Sequence, residues 1–151
     1  MISVIPVAKN GVSYALFVCG RSHSEPQTAA TGNAENSQVG SGANFFTRPS
    51  DEFQVGIIER PAGYEVKAHQ HPGRNDTIHH TTEFLYVEMG KAKVTVFDEE
   101  WAALHEQVIG AGDFMIAFRG GHQFTMLEPV RFIEVKQGPY PGDGKAKMFR
   151  S

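Results

Sequence analysis

The stretch EFLYVEMGKAKVTVFD at residues 83–98 indicates the fold class of this chain. It predicts two short strands, Phe84–Glu88 and Lys91–Asp98, separated by a turn at Met89-Gly90. Similar segments, rich in Val, Ile, Phe and Tyr and bounded by Gly, Pro, Asn or Asp, recur on both sides of it. The further predicted strands are Ile2–Val7, Val12–Val18, Gln54–Arg60, Glu65–His71, Gln107–Ile109, Phe114–Phe118, Gln123–Leu127 and Arg131–Gln137. This steady spacing favours an all-β sandwich or barrel over alternating strands and helices.

Composition divides the chain into four regions. Residues 1–20 are predicted to form an N-terminal strand pair or arm, which could cap an open sheet edge of its own chain or of a partner. Residues 21–44 contain hardly any large apolar side chain and predict a flexible polar loop. Residues 45–140 are predicted to form the main β-barrel, in which Glu99–His105 is a loop or a single helical turn. Residues 141–151 are predicted to be an extended C-terminal tail.

Charge and cysteine content exclude several classes of protein. The 151 residues carry a net charge of −3, without the basic stripe that a nucleic-acid binder needs. Cys19 stands alone, so neither an internal disulfide nor a zinc ribbon can form. The apolar stretch Tyr14–Cys19 is too short to span a bilayer. These features predict a cytoplasmic protein with no nucleic-acid or membrane partner.

Four of the seven histidines are clustered between residues 69 and 80. His69 and His71 are two residues apart, so in a strand they would project from the same face. Two imidazoles on one face supply much of a ligand set for a transition metal. His79 and His80 are adjacent and would point in different directions. His23 and His105 have polar neighbours in the sequence and are predicted to be solvated.

Further ligands are expected from neighbouring strands. Glu83 precedes Phe84 and shares a face with Leu85, whereas His122 shares a face with Phe124. Each polar side chain would therefore lie on the apolar, inward side of its strand. An inward carboxylate is costly unless it is paired, and a bound cation would pair it.

These residues resemble the two signature motifs of the cupins. The first motif is matched by Gly63, His69-Gln70-His71, Glu83 and Gly90, and the second by Gly112-Asp113 with Gly120-Gly121-His122. The resemblance covers about Gln54 to Gln137. It implies a single-domain cupin-type jelly-roll β-barrel of antiparallel strands, commonly a homodimer. It also implies one divalent transition metal (iron, manganese, nickel, zinc or copper) held by His69, His71, Glu83 and His122.

The match departs from the usual motif in two places. Eleven residues separate His71 from Glu83, and this insertion contains His79 and His80, either of which could replace a motif histidine. The second motif has Phe118-Arg119 where a proline is usual. The string EVKQGPY at residues 134–140 is similar to a group of small single-domain cupins, several of which accompany sugar or glycan biosynthesis genes.

Three further residues are candidates for substrate contact or catalysis. If Ile133 and Val135 pack between sheets, Glu134 and Lys136 face the barrel mouth, where they could bind substrate or simply form a solvated ion pair. Arg119 could meet an anionic substrate group or lie on the surface. A metal site with open coordination positions would suit a dioxygenase, or an isomerase or epimerase acting on a sugar or acid. The alternative is a non-catalytic cupin that binds or senses a small molecule such as a sugar or organic acid.

Overall fold

The computed structural model describes residues 2–20, 42–138 and 142–150. Apart from one short helix, the regular secondary structure of the described residues consists of β-strands in antiparallel sheets, which confirms the all-β prediction. The strands are β1 (Ile2–Lys9), β2 (Val12–Gly20), β3 (Gly42–Phe45), β4 (Gly56–Glu59), β5 (Glu83–Met89), β6 (Lys91–Phe97), β7 (Ala103–Gly110), β8 (Phe114–Ala117), β9 (Gly121–Met126) and β10 (Arg131–Lys136). A short helix, α1, spans Asp143–Ala146. Among the described residues, no helix has the length and apolar character needed to cross a membrane.

The strands form three sheets stacked as layers. The central sheet has five strands in the order β1-β2-β8-β5-β10, and the three-stranded sheet has the order β7-β6-β9. Strands β3 and β4 form a separate two-stranded ribbon. Over the described parts of the chain these sheets do not close into a barrel, so the cupin jelly roll stays a prediction.

Strand β2 shows how the layers are held together. Phe17 packs with Val94 and Ile109 between the central and three-stranded sheets. Leu16 belongs to a second apolar cluster, against which Ile57 of the ribbon packs. Alternate side chains of β2 are therefore buried on opposite faces of the central sheet, which explains its nearly continuous apolar sequence.

The N-terminal strands are part of the main sheet. Strand β2 pairs antiparallel with β8, with Leu16 opposite Ile116. The sequence left open whether this strand pair caps a sheet edge of its own chain or of a partner. In the structure it extends the central sheet of its own chain. The predicted homodimer stays a prediction. Residues 21–41, most of the predicted flexible loop, lie outside the described residues.

Four local predictions differ from the structure. Residues 65–71 form no strand, and residues 42–44, assigned to the flexible loop, begin β3. Strand β7 begins at Ala103, inside the predicted loop or helical turn, because the Asp98 carboxylate accepts hydrogen bonds from the Glu100 and Ala102 amides and completes the turn early. The tail contains α1, so it is not extended throughout.

His105 is also placed differently from the prediction. Its ring lies 5.7 Å from the Phe17 ring, between centroids, and its Nε2 is buried. Because β7 continues through His105, strand alternation turns this side chain towards the core rather than into solvent. His23, the other histidine predicted to be solvated, lies outside the described residues.

Candidate functional site

One end of the space between the central and three-stranded sheets carries a cluster of charged side chains. Glu83 begins β5 on the face that buries Leu85 and Val87. His122 lies on β9, on the face where Phe124 packs against the core. The His122 Nε2 atom is 3.1 Å from Glu83 Oε2. Two strands of different sheets thus bring together two of the predicted metal ligands.

The glycines before His122 position it. Gly120 has φ +72, and a Cβ at this residue would overlap the Phe97 carbonyl oxygen. A Cβ at Gly121 would lie 2.6 Å from the Trp101 ring. The Gly120-Gly121 pair therefore lets the backbone pass against Phe97 and Trp101 into β9, where His122 pairs with Val96.

The electrostatics of the cluster favour an ionised Glu83. The hydrogen bond with His122 is the largest influence on the Glu83 carboxyl and lowers its pKa; burial opposes this shift, and the positive charge of Lys136 reinforces it. The Lys136 Nζ atom lies 3.7 Å from Glu83 Oε1. The cluster therefore combines a carboxylate, an imidazole and an ammonium group at one end of the fold.

Glu134 and Lys136 share the face of β10 that looks towards the three-stranded sheet. Their side chains form an ion pair at 3.2 Å, with 40% of Glu134 and 25% of Lys136 exposed. Phe132, on the same face, packs against the core. The prediction from the sequence made this orientation depend on Ile133 and Val135 packing between sheets. That condition is not met, because these residues are 50% and 63% exposed on the opposite face. Alternation still turns Glu134 and Lys136 inwards, because it depends on the strand and not on what covers the other face.

His69 and His71 lie outside this cluster, in an irregular segment. Every residue from 61 to 79 is exposed and none belongs to a strand. The two rings lie 5.2 Å apart in an edge-to-face arrangement, and His69 Nδ1 is 2.9 Å from the Lys67 carbonyl oxygen. The predicted strand Glu65–His71 was wrong because its apolar residues, Val66 and Ala68, offer too little surface for a partner strand to bury.

The alternates His79 and His80 both approach Glu52. The Glu52 carboxylate accepts a hydrogen bond from the His79 amide at 3.2 Å, and the His79 Nδ1 atom lies at the same distance. His80 Nδ1 is 3.8 Å from Glu52, too far for a hydrogen bond. This insertion thus packs near residue 52 of the segment that leads to β4.

The donor types suit a first-row transition metal, but they lie as two separate pairs. Imidazole nitrogen and carboxylate oxygen are common ligands of such ions. Within the described ranges, no group of three or more His, Cys, Asp or Glu side chains is placed to hold a metal ion. The four-ligand set therefore stays a prediction, with Glu83 and His122 in contact and His69 and His71 adjacent to each other.

Arg119 lies in a different polar environment from the Glu83 cluster. It lines a cavity of about 110 Å³ together with Ser13, His80 and Thr82. A larger apolar groove, which the sequence did not predict, lies on the outer face of the central sheet and shares the lining residue Thr82 with this cavity. The apolar residues Ile133 and Val135 were the sequence signal that could have indicated this groove. Alternation alone, however, does not tell which face of β10 is covered.

Comparison with known proteins adds no family assignment. No protein-family model, curated protein sequence or solved structure matches the chain. The interpretation of its function therefore rests on its own residues and their geometry.

Proposed function

We propose that this chain is a cupin-fold metalloprotein that acts on a small molecule as a metal-dependent enzyme, either a dioxygenase or a sugar or acid isomerase or epimerase. The observation that carries the proposal is the 3.1 Å contact between Glu83 and His122, which joins the central and three-stranded sheets. Both side chains project from apolar strand faces. Burying polar groups there costs free energy, so a polar pair in this position favours a functional role. Such pairs with convergent polar neighbours are typical of functional sites.

Glu83 and His122 would hold a divalent transition metal together with His69 and His71. Residues 61–79 are exposed throughout, and no group of three such ligands is assembled among the described residues, so this site requires the segment to approach Glu83. His79 or His80 would replace a motif histidine if the insertion approaches instead. Such an ion supplies Lewis-acid polarisation of a carbonyl or, if it is ferrous, redox chemistry with dioxygen.

Lys136 and Glu134 would orient the substrate and move protons. The positive charge of Lys136 lowers the pKa of the Glu83 carboxyl and so adds to the larger effect of the His122 hydrogen bond. Glu134 is the more exposed carboxylate of the cluster. A substrate hydroxyl would therefore give its proton to the Glu134 carboxylate, while the Lys136 ammonium group donates a hydrogen bond to a neighbouring substrate oxygen.

Metal titration of the chelator-stripped protein tests the proposal. Isothermal calorimetry with Zn²⁺, Mn²⁺, Ni²⁺ and Fe²⁺, the last under nitrogen, should show one site per chain. Glu83→Gln should weaken binding at least tenfold, as expected for loss of a charged ligand, whereas Glu88→Gln on the same strand, exposed beside Arg131, should not. No binding by the native protein, or equal binding by both variants, would contradict the proposal.

Two paired variants assign the remaining ligands. His69→Ala/His71→Ala should abolish the site if the motif histidines bind, and His79→Ala/His80→Ala if the insertion supplies them. Oxygen consumption with diketones or thiols, and epimerisation of candidate sugars, would then distinguish the enzyme classes. A metal-loaded protein that binds sugars or organic acids without turnover would support the non-catalytic alternative.

A further inference from the structure

The outer face of the central sheet carries an apolar groove with a cavity of about 390 Å³. Its floor contains one cross-strand row, in which Phe84 of β5 lies between Val135 of β10 and Ile116 of β8. Phe114, also on β8, extends the floor, and its ring lies 5.1 Å from the Phe84 ring, between centroids. Three adjacent strands thus contribute to one apolar surface. The volume lies near the lower end of the range of about 300–1,000 Å³ that is typical of small-molecule sites.

The segment before β4 forms the opposite wall of the groove, and hydrogen bonds fix it in place. Val55 lines the groove and packs against the apolar cluster that contains Ile116. The Val55 amide donates a hydrogen bond to Thr47 Oγ1 at 3.0 Å, and the Val55 carbonyl accepts one from the Phe46 amide at 2.8 Å. Because this wall is held from both sides, the groove has its shape without a ligand, as is usual for small-molecule sites.

Two polar side chains that line the groove already have partners within the protein. The Gln54 Nε2 atom donates a hydrogen bond to the Arg48 carbonyl oxygen at 2.9 Å. The Gln137 Oε1 atom accepts a hydrogen bond from the Thr82 amide, also at 2.9 Å. Each of these atoms therefore joins one part of the chain to another instead of being presented to a ligand.

Lys136 is the only charged side chain among the described residues that line the groove. Its ammonium group lies 3.2 Å from the Glu134 carboxylate and 3.7 Å from the Glu83 carboxylate, on the other face of the sheet. Its aliphatic stem is therefore the part that lines the groove. With the one ammonium group engaged elsewhere and no carboxylate among these lining residues, a charged ligand would lose water without gaining an ionic partner, which is costly.

We propose that this groove binds a small uncharged apolar molecule, of about the size of one substituted aromatic ring, seated on Phe84, Phe114 and Val135. The tilted pair of phenylalanine rings offers both ring faces and ring edges, which suits contact with an aromatic ligand. The absence of an ionic partner among the described lining residues selects against anions and cations alike. The site lies on the opposite face of β5 from Glu83 and does not depend on the proposed metal chemistry.

Protein-observed NMR with labelled Val and Ile methyl groups tests the site with three probes that share one ring: benzyl alcohol, benzoate and benzylammonium. Benzyl alcohol should shift the methyl signals of Val55, Ile116 and Val135 saturably. It should bind at least about fivefold more tightly than either ion, because each ion brings a charge that the groove cannot pair. The Ile58 methyl groups, on a residue that is 63% exposed on β4 and outside the groove, should not shift and so report non-specific adsorption.

Two variants of β10 form a matched pair. Val135→Asp should weaken benzyl alcohol binding about tenfold, because it places a carboxylate in the apolar floor. Val135 is 63% exposed on an edge strand, so the fold can accommodate this change. Ile133→Asp is the control, since Ile133 shares that face of β10 and is 50% exposed but does not line the groove. It should bind benzyl alcohol as the native protein does. Excess EDTA should also leave binding unchanged, which separates this site from the metal proposal.

Several outcomes would overturn the proposal. These are equal binding of the three probes, shifts at Ile58 as large as those at Val135, and equal losses in Val135→Asp and Ile133→Asp. The comparison of the three probes uses the native protein, so it decides the proposal even if Val135→Asp lowers stability. The proposal also fails if benzyl alcohol gives no saturable shift, and sedimentation of a dimer that Val135→Asp dissociates would then show that a second copy of the chain covers the groove.

Discussion

Asp113 permits a quantitative test of how the strand ends around the core are held together. Its side chain is 1% exposed. One carboxylate oxygen accepts a hydrogen bond from the Gly20 amide at 2.7 Å, and the other accepts one from the Gly110 amide at 2.8 Å. This residue therefore joins the end of β2 to the turn between β7 and β8. It is also the acidic residue of the second cupin-like motif, and its contacts assign it a structural role.

Asp113→Ala leaves both amides without their acceptor. Losing the partner of a buried hydrogen-bonding group costs about 1–3 kcal/mol. Since the Gly20 amide is only partly buried, water can recover part of its loss, and the two together should lower the free energy of unfolding by about 2–4 kcal/mol. That is a large share of the stability of about 5–15 kcal/mol that is usual for a domain.

Urea denaturation at pH 7, followed by Trp101 fluorescence and by circular dichroism, measures the effect. Asp76→Ala is the control: the Asp76 side chain is 62% exposed and pairs with Arg74 at 2.8 Å, so its loss should change stability by no more than about 0.5 kcal/mol. If Asp113→Ala falls within about 1 kcal/mol of this control, the Asp113 carboxylate does not hold the strand ends together as described.

Three other predictions concern the core and the turns. Burial, with a smaller effect from the Asp113 charge, raises the pKa of Cys19 to about 12, so a thiol reagent at pH 8 should modify it only as fast as the protein unfolds; rapid labelling of the folded protein would contradict this. Burial lowers the pKa of His105 below its usual 6.5. As the pH falls, the unfolded chain therefore binds this proton at a higher pH than the folded chain does, and the free energy of unfolding should fall below about pH 6.5. His105→Leu should flatten that dependence between about pH 7 and 5, and an unchanged slope would count against the assignment. Gly90 and Gly112 have similar φ values of +86 and +91, but a Cβ at Gly90 would overlap the Pro129 carbonyl oxygen whereas one at Gly112 meets open space. Gly90→Ala should therefore destabilise the fold by about 2 kcal/mol more than Gly112→Ala in urea, and equal losses would show that the contact with Pro129 is unimportant.

Local sequence determined most of the strands and the faces of their side chains. The turn at Met89-Gly90 and the apolar alternation around it correctly place β5 and β6. Alternation likewise puts Glu83 and Lys136 on inward faces. These features depend on backbone geometry within a few residues, so a short window of sequence contains the information.

Only the tertiary structure decided which of these residues meet. Glu83 and His122 belong to different sheets, and their contact depends on how the central and three-stranded sheets stack. His69 and His71 alternate as a strand would, yet they form none, because a strand needs a neighbour to bond its backbone and bury its side chains. The outer groove beside Val135 exists because the segment before β4 covers part of that face and leaves the rest open. Such contacts join residues distant in the chain, and their energy depends on the surfaces that folding brings together, which no local pattern records.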